Sequence, residues 1–121
     1  MGMPERYDDS FVAGDTYKLL FNYKDSDGIA IDLTDYTVNM HVKKSVMTDD
    51  VILEKTYVID AIDGPVGKVE INLDVNDTND LSGIIAKSSY VYDVQLTSIS
   101  GDNVKTVIGG IFDVYKGVTI L

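Results

Sequence analysis

From Thr16 to Lys24 the chain alternates. Tyr17, Leu19, Phe21 and Tyr23 are apolar, Thr16, Lys18, Asn22 and Lys24 are polar, and only Leu20 breaks the pattern. A period of two belongs to an extended strand with one buried and one wet face. Ile29, Ile31 and Leu33 carry the same odd parity onward with their side chains inward, and then the parity flips. In the next segment the apolar residues are Tyr36, Val38, Met40 and Val42. A one-residue change of phase inside a strand would turn its buried side chains to solvent. The chain therefore bends or bulges at Leu33–Asp35, and two strands account for the pattern better than one.

The same period recurs downstream. Val69, Ile71 and Leu73 alternate with Lys68, Glu70, Asn72 and Asp74, and Tyr90, Tyr92, Val94 and Leu96 share one face. Val51–Asp60 is rich in β-branched residues with a mixed pattern, which fits a strand covered on both faces. Asn103–Lys116 reads as one long strand, with Gly109-Gly110 marking a bulge or kink. Asp27-Gly28 and Gly101-Asp102 are hairpin turns. Asp63-Gly64-Pro65 is a turn in which Asp63-Gly64 supplies positive φ. Val75–Gly83 is a polar corner, a single helical turn capped by Asn76 or Thr78 and closed by Gly83. Seven to eight short strands with no helix-length pattern predict an all-β fold: a single antiparallel β-sandwich, Ig-like in architecture.

At 121 residues the chain is expected to form one domain over residues 1–121, large enough to fold without a staple. No cysteine is present, which removes disulfides, thiolate zinc sites and cysteine nucleophiles together. The N-terminus has no apolar run after Arg6 and reads as neither a secretory signal nor a myristoylation signal. No apolar stretch reaches the roughly 20 residues of a membrane-spanning helix. A net charge of −10 disfavours nucleic acid and anionic membranes as partners.

Tyr23–Leu33 sets three carboxylates, Asp25, Asp27 and Asp32, within eight residues. Placing Gly28 at position six of an EF-hand loop puts Asp27 and Asp25 at five and three, but Tyr23 at one and Thr34 at twelve. Both ends of the ligand set are missing, and the hairpin reading is favoured. His41, the one histidine, falls on the polar face of its strand and reads as a solvated residue. No glycine-rich phosphate loop, nucleophile elbow or His-Glu-x-x-His is present, so catalytic, cofactor-binding and metal residues are all expected to be none. Asn76-Asp77-Thr78 fits a glycosylation sequon, relevant only to a secreted eukaryotic protein. Tyr17, Tyr23, Tyr36, Tyr90 and Tyr92 are in phase with the core, which leaves Tyr7, Tyr57 and Tyr115 as candidates for a sugar-stacking surface. The apolar end at Ile120 and Leu121 points to contact with a neighbouring chain. Tyr7, Tyr115, Ile120 and Leu121 are thus the candidate interface residues, with segments 1–10 and 117–121 as the contacting ends.

Taken in order, several short motifs resemble a class of small tailed-bacteriophage virion proteins that includes the N-terminal domain of baseplate upper proteins. They are Gly14-Asp15-Thr16, Asp27-Gly28 followed by Asp32-Leu33-Thr34, Gly67–Ile71, Tyr90–Leu96 and Gly109–Val114. The match covers residues 11 to 119. Asp35 departs from it, standing where the class usually has a small residue, and the region that follows in the longer baseplate proteins has no counterpart here. The resemblance implies a non-catalytic virion structural protein, an adaptor in the tail, baseplate or fibre-attachment region. Its partners would be other virion proteins, with several copies or a homo-oligomer in one assembly. A capsid decoration protein is the alternative within that class, and a receptor- or carbohydrate-binding module is the alternative outside it. An acidic hydrolase is the weakest reading, because its residue sets are missing.

Overall fold

A computed structural model describes residues 5–48, 50–81 and 87–116. Among them are eight strands: β1 (Glu5–Arg6), β2 (Asp9–Val12), β3 (Tyr17–Asn22), β4 (Thr37–Lys43), β5 (Val51–Val58), β6 (Lys68–Leu73), β7 (Lys87–Thr97) and β8 (Val104–Tyr115). One short helix, α1 (Val75–Asp80), follows β6. The larger sheet runs β5-β4-β7-β8, with β1 and β2 along the outer edge of β8, and β3 pairs with β6 in a second sheet.

The alternation behaves as the sequence predicts. Val38, Met40 and Val42 of β4, Val69, Ile71 and Leu73 of β6, and Tyr90, Tyr92, Val94 and Leu96 of β7 are all buried. One hydrophobic cluster collects these side chains from both sheets. Burial of apolar surface is the dominant favourable term in folding, so this shared cluster is what holds the sheets together. The bend between β3 and β4 falls where the phase changes. Asp35 has φ +65°, a left-handed conformation that Asp tolerates better than most residues. The Tyr36 amide closes the turn onto the carbonyl of Leu33 at 2.9 Å.

Several expectations need correction. The pairing is not wholly antiparallel, because β1 and β2 both run parallel to β8. Segment 29–33 is not a strand: only Lys24 and Ala30 bridge, and Ile29 faces solvent while Leu33 is buried. Strand β5 is an edge strand, with Val51, Ile52 and Val58 exposed, so it is not covered on both faces. At the 59–67 turn the positive φ belongs to Gly67, not to Asp63-Gly64. Gly64 is needed for space instead, since a Cβ there would lie 2.6 Å from Thr34 Cα.

Helix α1 is capped by neither Asn76 nor Thr78. Asp74 is the N-cap: it accepts from the Asp77 amide at 2.9 Å, and Asp77 accepts from the Asp74 amide at 3.0 Å. This is a capping box with Asp in both roles. Thr78 is buried and used elsewhere, donating to the Asp15 carbonyl and accepting from the Gly14 amide. Gly83 lies outside the described residues. The bulge of β8 sits just before the glycine pair: Val94 pairs with Ile108 and Gln95 with Thr106, which leaves Val107 extra.

Candidate functional site

The acidic stretch resolves into turn chemistry. Asp25 accepts from the amides of Asp27 (2.9 Å) and Ile29 (3.0 Å), and the Gly28 amide returns to the Asp25 carbonyl. Gly28 supplies φ +79°. Asp32 takes the Thr34 amide and hydroxyl, and that pair of bonds holds its carboxyl below the usual value. Among the described residues, no group of three or more His, Asp or Glu side chains is placed to hold a metal ion.

Tyrosines Tyr17, Tyr90 and Tyr92 belong to the core or its rim. Tyr92 stacks face to face on Phe112 with ring centroids 3.8 Å apart, and Phe11, Tyr17 and Phe112 pack around one another. Tyr7, Tyr57 and Tyr115 do not form one surface. Tyr57 packs against the core from β5, and its hydroxyl accepts the Asn72 amide at 3.0 Å. Tyr7 and Tyr115 are 43% and 42% exposed along the opposite edge, at the levels of Gly109 and Val12. Six residues of β8 separate those levels, which is about 20 Å of strand. Of the other two candidate interface residues, Ile120 and Leu121, both lie outside the described residues.

The N-terminal edge is held by a compact polar set. Asp9 accepts from the hydroxyls of Tyr17 (2.7 Å) and Tyr7 (3.1 Å), while Asp8 accepts the Ile111 amide at 2.9 Å. Burial works to raise the Asp9 pKa, but these donors outweigh it and hold the carboxyl below its ordinary value. Burial, reinforced by Asp9, pushes the Tyr17 hydroxyl far up. The whole set stays uncharged on its tyrosines and charged on Asp9 across the physiological range.

The outward face of the larger sheet carries a concave feature. Odd-numbered residues of β4 and β7 point there, and strand register places them in rows. One row is Glu54, His41, Asp93 and Gly109, and the next is Val51, Lys43, Val91 and Ile111. Gly109 contributes no side chain, which leaves an open trough of about 870 Å³ over His41, Asp93 and the glycine pair. Arg6 and Val46 stand among its lining residues. His41 is half-buried rather than fully solvated, its Nε2 2.6 Å from Glu54 Oε2. A trough of this kind, open along a sheet face, suits contact with another macromolecule better than enclosure of a small ligand. The sequence signal for it was present in the outward parity of these residues together with Gly109-Gly110.

No protein-family model and no curated protein matches the chain.

Proposed function

We propose that the protein is a non-catalytic structural subunit of a tailed-bacteriophage particle. In this reading it is an Ig-like β-sandwich that acts as an adaptor between neighbouring subunits in the tail, baseplate or fibre-attachment region. The observation that carries the reading is the use made of the motif residues. Asp27-Gly28 forms a turn, Leu33 is a core residue at the phase change, Tyr90, Tyr92, Val94 and Leu96 line the core, and Gly110 admits the N-terminal edge strand. Each serves architecture, as expected where a family is defined by its fold rather than by a reaction.

A shared core between two sheets supports the sandwich, and the open trough offers a face for a neighbour. The separation of Tyr7, Tyr57 and Tyr115 takes away the aromatic platform on which a sugar-binding module would rest. A density map of the intact particle tests the proposal. The domain should be found between tail or baseplate subunits; copies spread over the capsid surface would replace the adaptor with a decoration protein.

A further inference from the structure

The larger sheet is covered at one edge and open at the other. Strands β1 and β2 lie along β8, whereas β5 has β4 on one side and, among the described residues, no strand on the other. The Ile59 amide bonds the Tyr36 carbonyl at 2.8 Å, and bonded and non-bonded residues alternate along an antiparallel pair. Leu53, Lys55 and Tyr57 therefore direct their backbone groups to β4, while those of Glu54, Thr56 and Val58 point out of the sheet. Among the described residues nothing bonds to these three amides. The bulge between β4 and β5 leaves Ile52 extra, and the ladder is regular from Leu53 to Val58.

The edges of the smaller sheet are capped or guarded. On β6 the Tyr57 hydroxyl takes the Asn72 amide at 3.0 Å, and the Asp63 carbonyl takes the Lys68 amide at 3.1 Å. On the other side, Lys18 lies on β3 itself and Lys105 of β8 stands 5.7 Å from the nearby Tyr23 ring. Edge lysines and inward-pointing charges discourage strand pairing. The charges of β5 are engaged within the molecule: Lys55 meets Asp77 at 3.0 Å, and Glu54 meets His41 at 2.6 Å. Thr56 and Val58 are β-branched residues suited to a strand. Such an edge is a template for another extended segment.

Charge and register say which segment. A second copy of β5 can lie antiparallel to the first about a two-fold axis. The outward-pointing backbone groups meet only when that axis passes through a residue rather than between two. An axis at position 54 sets Glu54 against itself, one at 55 sets Lys55 against itself, and one at 57 sets Glu54 against Asp60. Like charges directly opposite each other destabilise a pair. The axis at Thr56 avoids all three: Thr56 faces Thr56, Glu54 faces Val58 and Lys55 faces Tyr57. Facing threonines are themselves a favourable pair. Asp60 then falls diagonal to Glu54, with its carboxylate already accepting the amides of Ile62 at 3.0 Å and Asp63 at 2.7 Å.

We propose that two copies of this chain dimerise by pairing their β5 edges antiparallel about Thr56, which joins the two larger sheets into one. The open amides and carbonyls of Thr56 bond those of Thr56 in the other copy, and Glu54 exchanges bonds with Val58. Such a contact is isologous, so association closes at two copies. The inference stands on the strand edge alone and does not depend on the particle reading.

The test is sedimentation velocity together with hydrogen exchange over a concentration series of the full chain. Wild type should pass from monomer to dimer and no further. The amides of Glu54, Thr56 and Val58 should slow as the dimer forms, while those of Lys18, Leu20 and Asn22 on β3 should not. Because Thr56 faces its own copy, Thr56→Lys alone and Thr56→Glu alone should each lose the dimer. An equimolar mixture of the two should regain it as a one-to-one pair. The Thr56 side chain bonds only Asn39, at an exposed site, and circular dichroism confirms that each variant is folded. A wild-type chain that stays monomeric at millimolar concentration overturns the proposal and leaves the edge to a strand from another protein. A dimer that protects β3 in place of β5 overturns it too, as do single variants that dimerise like wild type or a mixture that stays monomeric.

Discussion

The carbonyl oxygen of Tyr7 occupies the place that a side chain on Gly110 would need. The contact ties residues about a hundred positions apart, and it explains why the edge formed by β1 and β2 can lie against β8. Between the two strands the Tyr7 carbonyl turns inward and accepts from the Tyr92 hydroxyl at 2.5 Å. Asp8 meanwhile takes the Ile111 amide. Gly110→Ala should therefore cost about 2–3 kcal/mol, the range for forcing extra atoms into a filled site. Gly109→Ala should fall within about 1 kcal/mol of wild type, since its added Cβ would meet nothing nearer than 3.4 Å. Urea denaturation of the two variants checks the contrast.

Tyr92→Phe keeps the ring stacked on Phe112 and removes only the hydroxyl that meets Tyr7. The loss should be about 1–1.5 kcal/mol, the worth of one hydrogen bond plus an unpaired carbonyl. Hydrogen exchange should accelerate at the amides of Tyr7 and Ile111, while exchange along β4 stays unchanged.

The Lys55–Asp77 bond, 3.0 Å long, joins β5 to the capping box of α1. Burial works to raise the Asp77 pKa, but the Asp74 amide and the Lys55 ammonium hold it below the ordinary 3.8. Its stabilisation is thus full above that value and disappears as pH falls through the lower folded pKa. Lys55 is raised above 10.5 by its bond to Asp77, so its contribution is full below 10.5 and is lost as pH rises through the folded pKa. Asp77→Asn should cost about 2 kcal/mol at neutral pH and close to nothing at pH ~2. Thermal melts of both proteins across that acid range test this, with Asp9 keeping part of the acid sensitivity in the variant.

In the 23–33 loop the two acids should behave differently. Asp25→Ala removes the acceptor of two backbone amides and should cost about 1 kcal/mol, as for a lost cap. Asp27→Ala should stay within about 0.5 kcal/mol, the usual span for an exposed surface change. Added calcium should leave the melting temperature of the wild-type chain unchanged. A rise with calcium would restore the cation loop that the ligand spacing argues against.

Alternation made four strands legible, because parity reports which face of a strand is buried. It cannot report the partner of a strand. β2 is only four residues long, and its pairing with β8 is parallel and distant in sequence, so nothing local announces it. The edge position of β5 was hidden for a related reason, since exposure at an edge depends on a missing neighbour rather than on the strand itself. Capping by Asp74 was missed because Asn76 and Thr78 are equally good caps by residue type. Gly64 and Gly110 were legible as glycines, but their reason is a clash with Thr34 and Tyr7 that only the folded chain creates. The trough over His41 and Asp93 needed both parity and register, and the sequence carried only the first.

Quantitative mass spectrometry of gradient-purified phage particles tests the central claim most directly. The account predicts that this chain co-sediments with intact particles at a fixed stoichiometry of several copies per particle. Its absence from particles, with the chain present in the same lysate, would contradict the account.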